Sequence, residues 1–324
     1  DAMTTAPPTP LSWTTARELL AQQRFLTTGD PMLDDLLGGG VPVPGVVEVS
    51  GASASGKTQL CLQLCLTVQL PLALGGLGGG ALYFSTEDSF PSRRLAALVP
   101  AFCARLGLPK DSINADAWTD NVLLAHLADS ETQDHLLTYQ LPALLTTHNV
   151  RLVVIDSITA NFRGEQLSHL TDHHQRAAAH LGSTNPDALY YTRRQRDLLC
   201  LAQHFKRCSE AHGVAVVCVN QVSDSFDTTM TPLLEHQGMP IPIPRALATK
   251  PALGLSWSQC IHTRITLHRH DPLLDATGSE FAATHAQIRV SQRIIQLVFA
   301  PHAPPDILPF TIDQAGVQGA PTSA

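Results

Sequence analysis

The chain reads as an α/β fold, a mostly parallel twisted sheet with helices on both faces and an antiparallel extension at its C-terminal end. Three observations predict this. Short β-branched runs alternate with helical stretches over residues 46–219. A glycine loop, Gly51-Ala52-Ser53-Ala54-Ser55-Gly56-Lys57-Thr58, joins the first of those runs to the helix behind it. A hydrophobic run, Leu-Val-Val-Ile, ends on Asp156. Such alternation marks strands covered on both faces by crossover helices.

Taken in order, residues 1–12 are rich in proline and threonine and are expected to be flexible, followed by a short helix over 14–23. Residues 1–28 form the expected N-terminal segment and linker, and 29–324 the core domain. Strands are predicted over 46–50, 81–85, 122–127, 152–155 and 214–219, with helices over 57–69, 92–106, 131–147 and 193–212 between them. Residues 223–254 carry five prolines and little periodicity, so they read as a long loop. Strands over 261–268, 286–290 and 294–299 then extend the sheet. A segment over 163–192, rich in His, Ala and polar residues, interrupts the fold after the fourth strand.

With 324 residues, 44% of them hydrophobic, the chain can bury a substantial core. Its longest apolar stretch, 61–74, is broken by Gln63, Gln69 and Pro71, which argues against a membrane span. The seven cysteines contain no CxxC pair and are odd in number, as expected of small buried hydrophobes in a reducing compartment. A net charge of −7 weakens the case for a strong autonomous DNA binder, since those usually carry a basic balance.

The loop 51–58 satisfies GxxxxGK[ST] at every position. Its glycines let backbone N–H groups curl around a β-phosphate, the helix behind adds its positive N-terminus, and Lys57 bridges β- and γ-oxygens. Thr58 offers a hydroxyl to Mg²⁺, and Gln59 follows at the head of the helix and joins the nucleotide-binding set. Asp156, at the end of a buried strand, lies where α/β sheets bind ligands and can hold the Mg²⁺ shell opposite Thr58. Glu87, in Tyr83-Phe84-Ser85-Thr86-Glu87-Asp88, ends the preceding strand at the same edge and can orient an attacking water. At Asn220-Gln221 an amide can reach the γ-phosphate, so Lys57, Glu87 and Gln221 form the expected catalytic set. His169, His173, His174 and His180 lack cysteine companions and a second ligand pair, and read as a solvated insertion.

Together these residues resemble the RecA family of recombinases, with a RecA-like P-loop ATPase core: phosphate loop, Thr-Glu after the second strand, Val-Ile-Asp-Ser, then Val-Val-Cys-Val-Asn-Gln-Val. The likeness spans residues 13–320. Within the family the chain resembles the eukaryotic recombinase paralogues, on residues 56–69, 75–80, 253–257 and 300–305. The resemblance implies ATP and Mg²⁺ as cofactors, Arg94 as the arginine that packs on adenine, and DNA-facing loops after Asp156 and Gln221. It implies that Trp13-Thr14-Thr15-Ala16 is an aromatic-x-x-Ala polymerisation motif with Trp in place of Phe. Three departures are visible: the small helical N-terminal domain has no counterpart, the 163–192 loop is longer and carries His, and Phe299 stands where an ATP-capping aspartate is expected.

The expected function is an ATP-binding paralogue that pairs with another paralogue and assists recombinase filament assembly on single-stranded DNA, in homologous recombination repair in the nucleus. Single-stranded DNA is expected to bind weakly to the chain alone, and any ATPase to be weak and DNA-dependent. The alternative is a DNA-stimulated ATPase or strand-exchange recombinase in its own filament. The acidic balance and Phe299 favour the first.

Overall fold

The computed structural model describes residues 14–87, 89–109, 114–160, 186–224, 233–236, 239–242, 249–270 and 292–321. Helix α1 (Ala16–Gln22) opens on a capping box in which the Thr15 hydroxyl accepts from Glu18 N–H and the Glu18 carboxylate accepts from Thr15 N–H. It buries none of its residues. Strand β1 (Arg24–Leu26) pairs antiparallel with β2 (Val41–Val43), and α2 (Pro31–Leu36) lies between them. Asp30 caps α2 by accepting from Met32 and Leu33 N–H, with proline at the first turn, where its missing N–H costs nothing.

The central sheet is built on β3 (Gly45–Gly51), β4 (Gly80–Ser85), β5 (Val122–His126), β6 (Val150–Asp156) and β7 (Ala215–Asp224). Beyond β7 come a short hairpin of β8 (Leu233–His236) with β9 (Met239–Pro242), then β10 (Thr249–Pro251), β11 (Thr263–His270), β12 (Gln292–Phe299), β13 (Asp306–Asp313) and β14 (Gly316–Gly319). The sheet order is β14-β13-β12-β11-β3-β7-β6-β4-β5, with β10 added to the end of β7. Strands from β11 to β5 in that order run parallel, and β12, β13 and β14 are antiparallel.

Strand parity divides the core in two. Val47, Val49, Ala81, Tyr83, Leu152, Val154, Val217 and Val219 face α3 (Lys57–Thr67) and α4 (Ser92–Arg105). Their neighbours Val46, Leu82, Phe84, Val153, Ile155, Val216 and Cys218 face the opposite layer. That layer holds α7 (Leu141–Thr147), α8 (Pro186–His212) and α9 (Gly254–Ser258), numbered after α5 (Ala115–Asp120) and α6 (Ser130–His135). The apolar spacing fits the layers: Leu95, Leu98, Val99, Phe102 and Cys103 form one buried stripe of α4.

The five predicted parallel strands and their helices are present with ends shifted by a few residues. Three expectations are revised. The helix expected over 131–147 is two helices joined by a π-turn at Leu136–Gln140. The long loop expected over 223–254 contains β8, β9 and β10, and β7 itself runs on to Asp224. The antiparallel extension includes β13 and β14, which the sequence reading missed because Pro309 interrupts the strand pattern. The strand expected over 286–290 lies outside the described residues, as do Trp13, Asp88 and the histidines at 169, 173, 174 and 180. The end of the 163–192 segment is helical, because α8 begins at Pro186.

Candidate nucleotide site

Strand β3 is buried along its whole length between β11 and β7, and it delivers the loop to the C-terminal edge of the sheet. Gly51 leaves the strand with φ +151°, and a Cβ there would lie 2.4 Å from Leu267 O and 2.7 Å from Ser55 Oγ. Gly56, the N-cap of α3, has φ +117°. Ala54 takes φ +59° without being glycine, local strain of about 1–3 kcal/mol of the kind found in ligand clamps. The first N–H groups of α3 have no intrahelical acceptor and gather at the loop. Ser55 Oγ is buried there without a hydrogen-bond partner.

Lys57 Nζ donates to Gly51 O at 2.9 Å and Ala52 O at 2.7 Å. Burial lowers its pKa, and Asp156, Cys61 and Glu87 pull the other way. Thr58 Oγ1 donates to Asp156 Oδ2 at 2.8 Å, joining the loop helix to the end of β6. Parity accounts for this meeting: Asp156 follows Leu152 and Val154, on the face that carries α3. Tyr83, on the same face of β4, donates its hydroxyl to the same Oδ2 at 2.6 Å.

Glu87 lies just past β4, and Ser85 is paired with Asp156 across the β4–β6 ladder, so both acids sit at one sheet edge. Ser85 Oγ holds the turn by accepting from Glu87 N–H at 3.2 Å, and the Glu87 side chain is exposed. Gln221 is the register partner of Gly51, on the α3 face. Its N–H donates to Thr159 Oγ1, and its carbonyl accepts from Ala252 N–H, between β10 and α9. Asn220 has the opposite parity. Its amide donates to Glu48, a fully buried acid that also pairs with Arg264. Of the Asn-Gln pair, only Gln221 therefore lies on the loop's face.

Arg94, in the first turn of α4, donates from Nε to Gln59 Oε1 at 2.8 Å and from Nη2 to Asp313 O. Gln59 thus supports the arginine from the loop helix, and the β13–β14 turn closes that side. Gln63, one turn further along α3, is fully buried and donates to Thr28 O and Val317 O while accepting from Val317 N–H. The sequence reading assigned no role to Tyr83 or Gln63. Tyr83 was visible only as part of a hydrophobic strand, and Gln63 only as a polar break in an apolar helix.

Phe299 ends β12 at the edge of the sheet away from the loop, since it pairs with Arg264, which pairs with Glu48 three residues before Gly51. A bulge beside Arg264 turns its ring onto the α8 side, with the Arg264 guanidinium 5.4 Å from the ring centroid.

The donor set fits a magnesium nucleotide. The loop supplies backbone donors and a lysine for phosphate, while Thr58 and Asp156 offer two oxygens, the sparse protein share usual where Mg²⁺ takes its other ligands from phosphate and water. Among the described residues no group of three His, Cys, Asp or Glu could hold a metal alone. No helix there is long and apolar enough to cross a membrane.

The family model for Rad51 matches residues 21–184. At 35% identity over 304 residues, the chain aligns with the DNA repair protein XRCC3 of Bos taurus, covering 94% of this chain and 77% of that protein. The chain belongs to the Rad51 family. The XRCC3 protein of Mus musculus is 33% identical over 93% of the chain and 76% of its own length. The DNA repair protein rhp57 of Schizosaccharomyces pombe is 33% identical over 87% of the chain and 75% of its own length. The resemblance read from the motifs, to a recombinase paralogue of the X-ray-repair cross-complementing kind and its fungal counterpart, is the one these relatives carry. The Rad51 family domain implies a nucleotide-binding RecA-like fold, in keeping with the observed sheet and loop.

Proposed function

We propose that the chain binds ATP with Mg²⁺ at the 51–58 loop and acts as a nuclear recombinase paralogue in homologous recombination repair, pairing with a second paralogue and assisting recombinase filament assembly on single-stranded DNA. The observation that carries the nucleotide reading is the Thr58–Asp156 hydrogen bond at the head of the loop helix. Similarity to DNA repair proteins over nearly the whole chain carries the repair role. Gly51–Thr58 cradle the phosphates, Lys57 bridges β- and γ-oxygens, Arg94 and Gln59 face the base, and Thr58 with Asp156 hold Mg²⁺. A bound metal there would neutralise charge on the phosphate oxygens. Residues 1–28 act as the N-terminal segment and linker, which carries the Trp13–Ala16 motif, and 29–324 as the core domain.

Pairing is supported by α1, directly behind that motif. Leu19 and Leu20 are 54% and 68% exposed, so an apolar helix surface stands free of the core next to the expected aromatic anchor. The acidic balance fits a chain that relies on a partner for much of its DNA affinity. Co-expression with candidate paralogues tests this. A stable one-to-one complex that Trp13→Ala weakens supports the reading. Long homopolymers of the chain alone on single-stranded DNA with ATP contradict it. The alternative, an ATPase or recombinase in its own filament, draws on Glu87 and Gln221 lying at the loop's edge. Substantial DNA-stimulated ATP turnover by the isolated chain, abolished by Glu87→Gln, would favour it.

A further inference from the structure

The Tyr83 hydroxyl is a polar group placed deep in an apolar layer. The residue is 1% exposed, its ring meets Phe90 edge-on at 4.9 Å, and Cys61 and Cys65 of α3 lie beside it. A phenol buried there needs a hydrogen-bond partner, and its one donor goes to Asp156 Oδ2.

Asp156 Oδ2 thereby accepts from two hydroxyls, Thr58 on α3 and Tyr83 on β4. Two donors on one oxygen fix the plane of the carboxylate. They leave Oδ1 as the oxygen that would face a bound metal. They also keep the Thr58 proton directed at Asp156, so that the Thr58 lone pairs face the phosphate side. We propose that Tyr83 is a positioning residue for the magnesium site, acting through Asp156 and Thr58 without touching nucleotide or metal. The inference deepens the ATP reading and rests on it.

The test compares the wild-type chain with Tyr83→Phe, which keeps the ring and its contact with Phe90 and removes only the hydroxyl. Affinity for a fluorescent ATP analogue is measured across a Mg²⁺ titration and again in EDTA, with thermal stability recorded in parallel. Loss of an outer-shell partner typically weakens metal affinity by about tenfold or more. The expected result is a Mg²⁺ midpoint shifted upward by about tenfold, with metal-free nucleotide affinity unchanged. In an Asp156→Asn background the second substitution should then change nothing further, because the hydroxyl acts through that carboxylate. An unshifted Mg²⁺ midpoint in Tyr83→Phe overturns the proposal while leaving the ATP reading intact. Equal losses with and without metal mean that the hydroxyl only supports packing, and overturn it too. Absence of nucleotide binding by the wild type, with or without Mg²⁺, overturns the ATP reading and the proposal together.

Discussion

Gln63→Leu removes an amide that ties three parts of the molecule together. Gln63 sits on α3 with no exposed surface, donates to Thr28 O at 2.6 Å and Val317 O at 3.1 Å, and accepts from Val317 N–H at 2.6 Å. Leucine has a similar volume, so the loss is chiefly of hydrogen bonds and not of packing. Val317 O retains Arg105 Nη1 at 3.3 Å. Thr28 O and Val317 N–H lose the partner that Gln63 gave them, both on buried residues. Each such loss costs about 1–3 kcal/mol, giving an expected destabilisation of about 2–6 kcal/mol. In a domain of this size that is roughly a 3–10 °C fall in Tm. Urea unfolding and calorimetry read the change. Because β14 pairs with the end of β13, where Asp313 O accepts from Arg94, nucleotide affinity should fall as well, with its Mg²⁺ dependence unaltered. A change below about 0.5 kcal/mol, the range of a surface substitution, would refute the reasoning.

Arg264→Met leaves the fully buried Glu48 without its cation, at a cost of about 3–5 kcal/mol; adding Glu48→Gln should recover much of it, and an Arg264→Met chain as stable as wild type would show the pair to be dispensable. Burial lowers the pKa of His262 and of His268, so near neutral pH both are largely uncharged in the fold. Below the ordinary histidine pKa of about 6.5 the unfolded chain holds more protons than the folded one, so stability falls as pH drops through that region and levels off below the folded pKa values. The slope is at most about 1.4 kcal/mol per pH unit for each histidine. Urea midpoints at pH 7.5 and 5.5 check this, and His262→Gln should flatten the dependence.

What could be read from the sequence follows the range of the interactions involved. The parallel strands and the loop are local signals: β-branched runs such as Val46-Val47 and Val153-Val154-Ile155 and the spacing of Gly51, Gly56 and Lys57 carry them without knowledge of the fold. Elements whose stability comes from distant partners were missed. Strand β1 is three residues long and exists through β2, while β13 contains Pro309 and is held between β12 and β14. Within the site, motif order set Thr58 opposite Asp156, and the two side chains hydrogen-bond in the structure. The roles of Tyr83 and Gln63 depend on strand parity and on contacts to residues as far off as Val317, which no local pattern encodes. The same parity separates Asn220 from Gln221, which the sequence treated as one unit.

The most direct test of the central claim is thermal stabilisation by ATP and Mg²⁺ in the wild-type chain and in Lys57→Ala. Lys57 Nζ donates its hydrogen bonds to the loop carbonyls of Gly51 and Ala52, so its loss spares the hydrogen bonds of the core. Ligand at about 100 times Kd stabilises a binding protein by about 2.7 kcal/mol, so the wild type should show a clear rise in Tm and Lys57→Ala none at the same nucleotide concentration. Equal rises in both proteins, or no rise in either, would contradict the assignment of residues 51–58 as the nucleotide site.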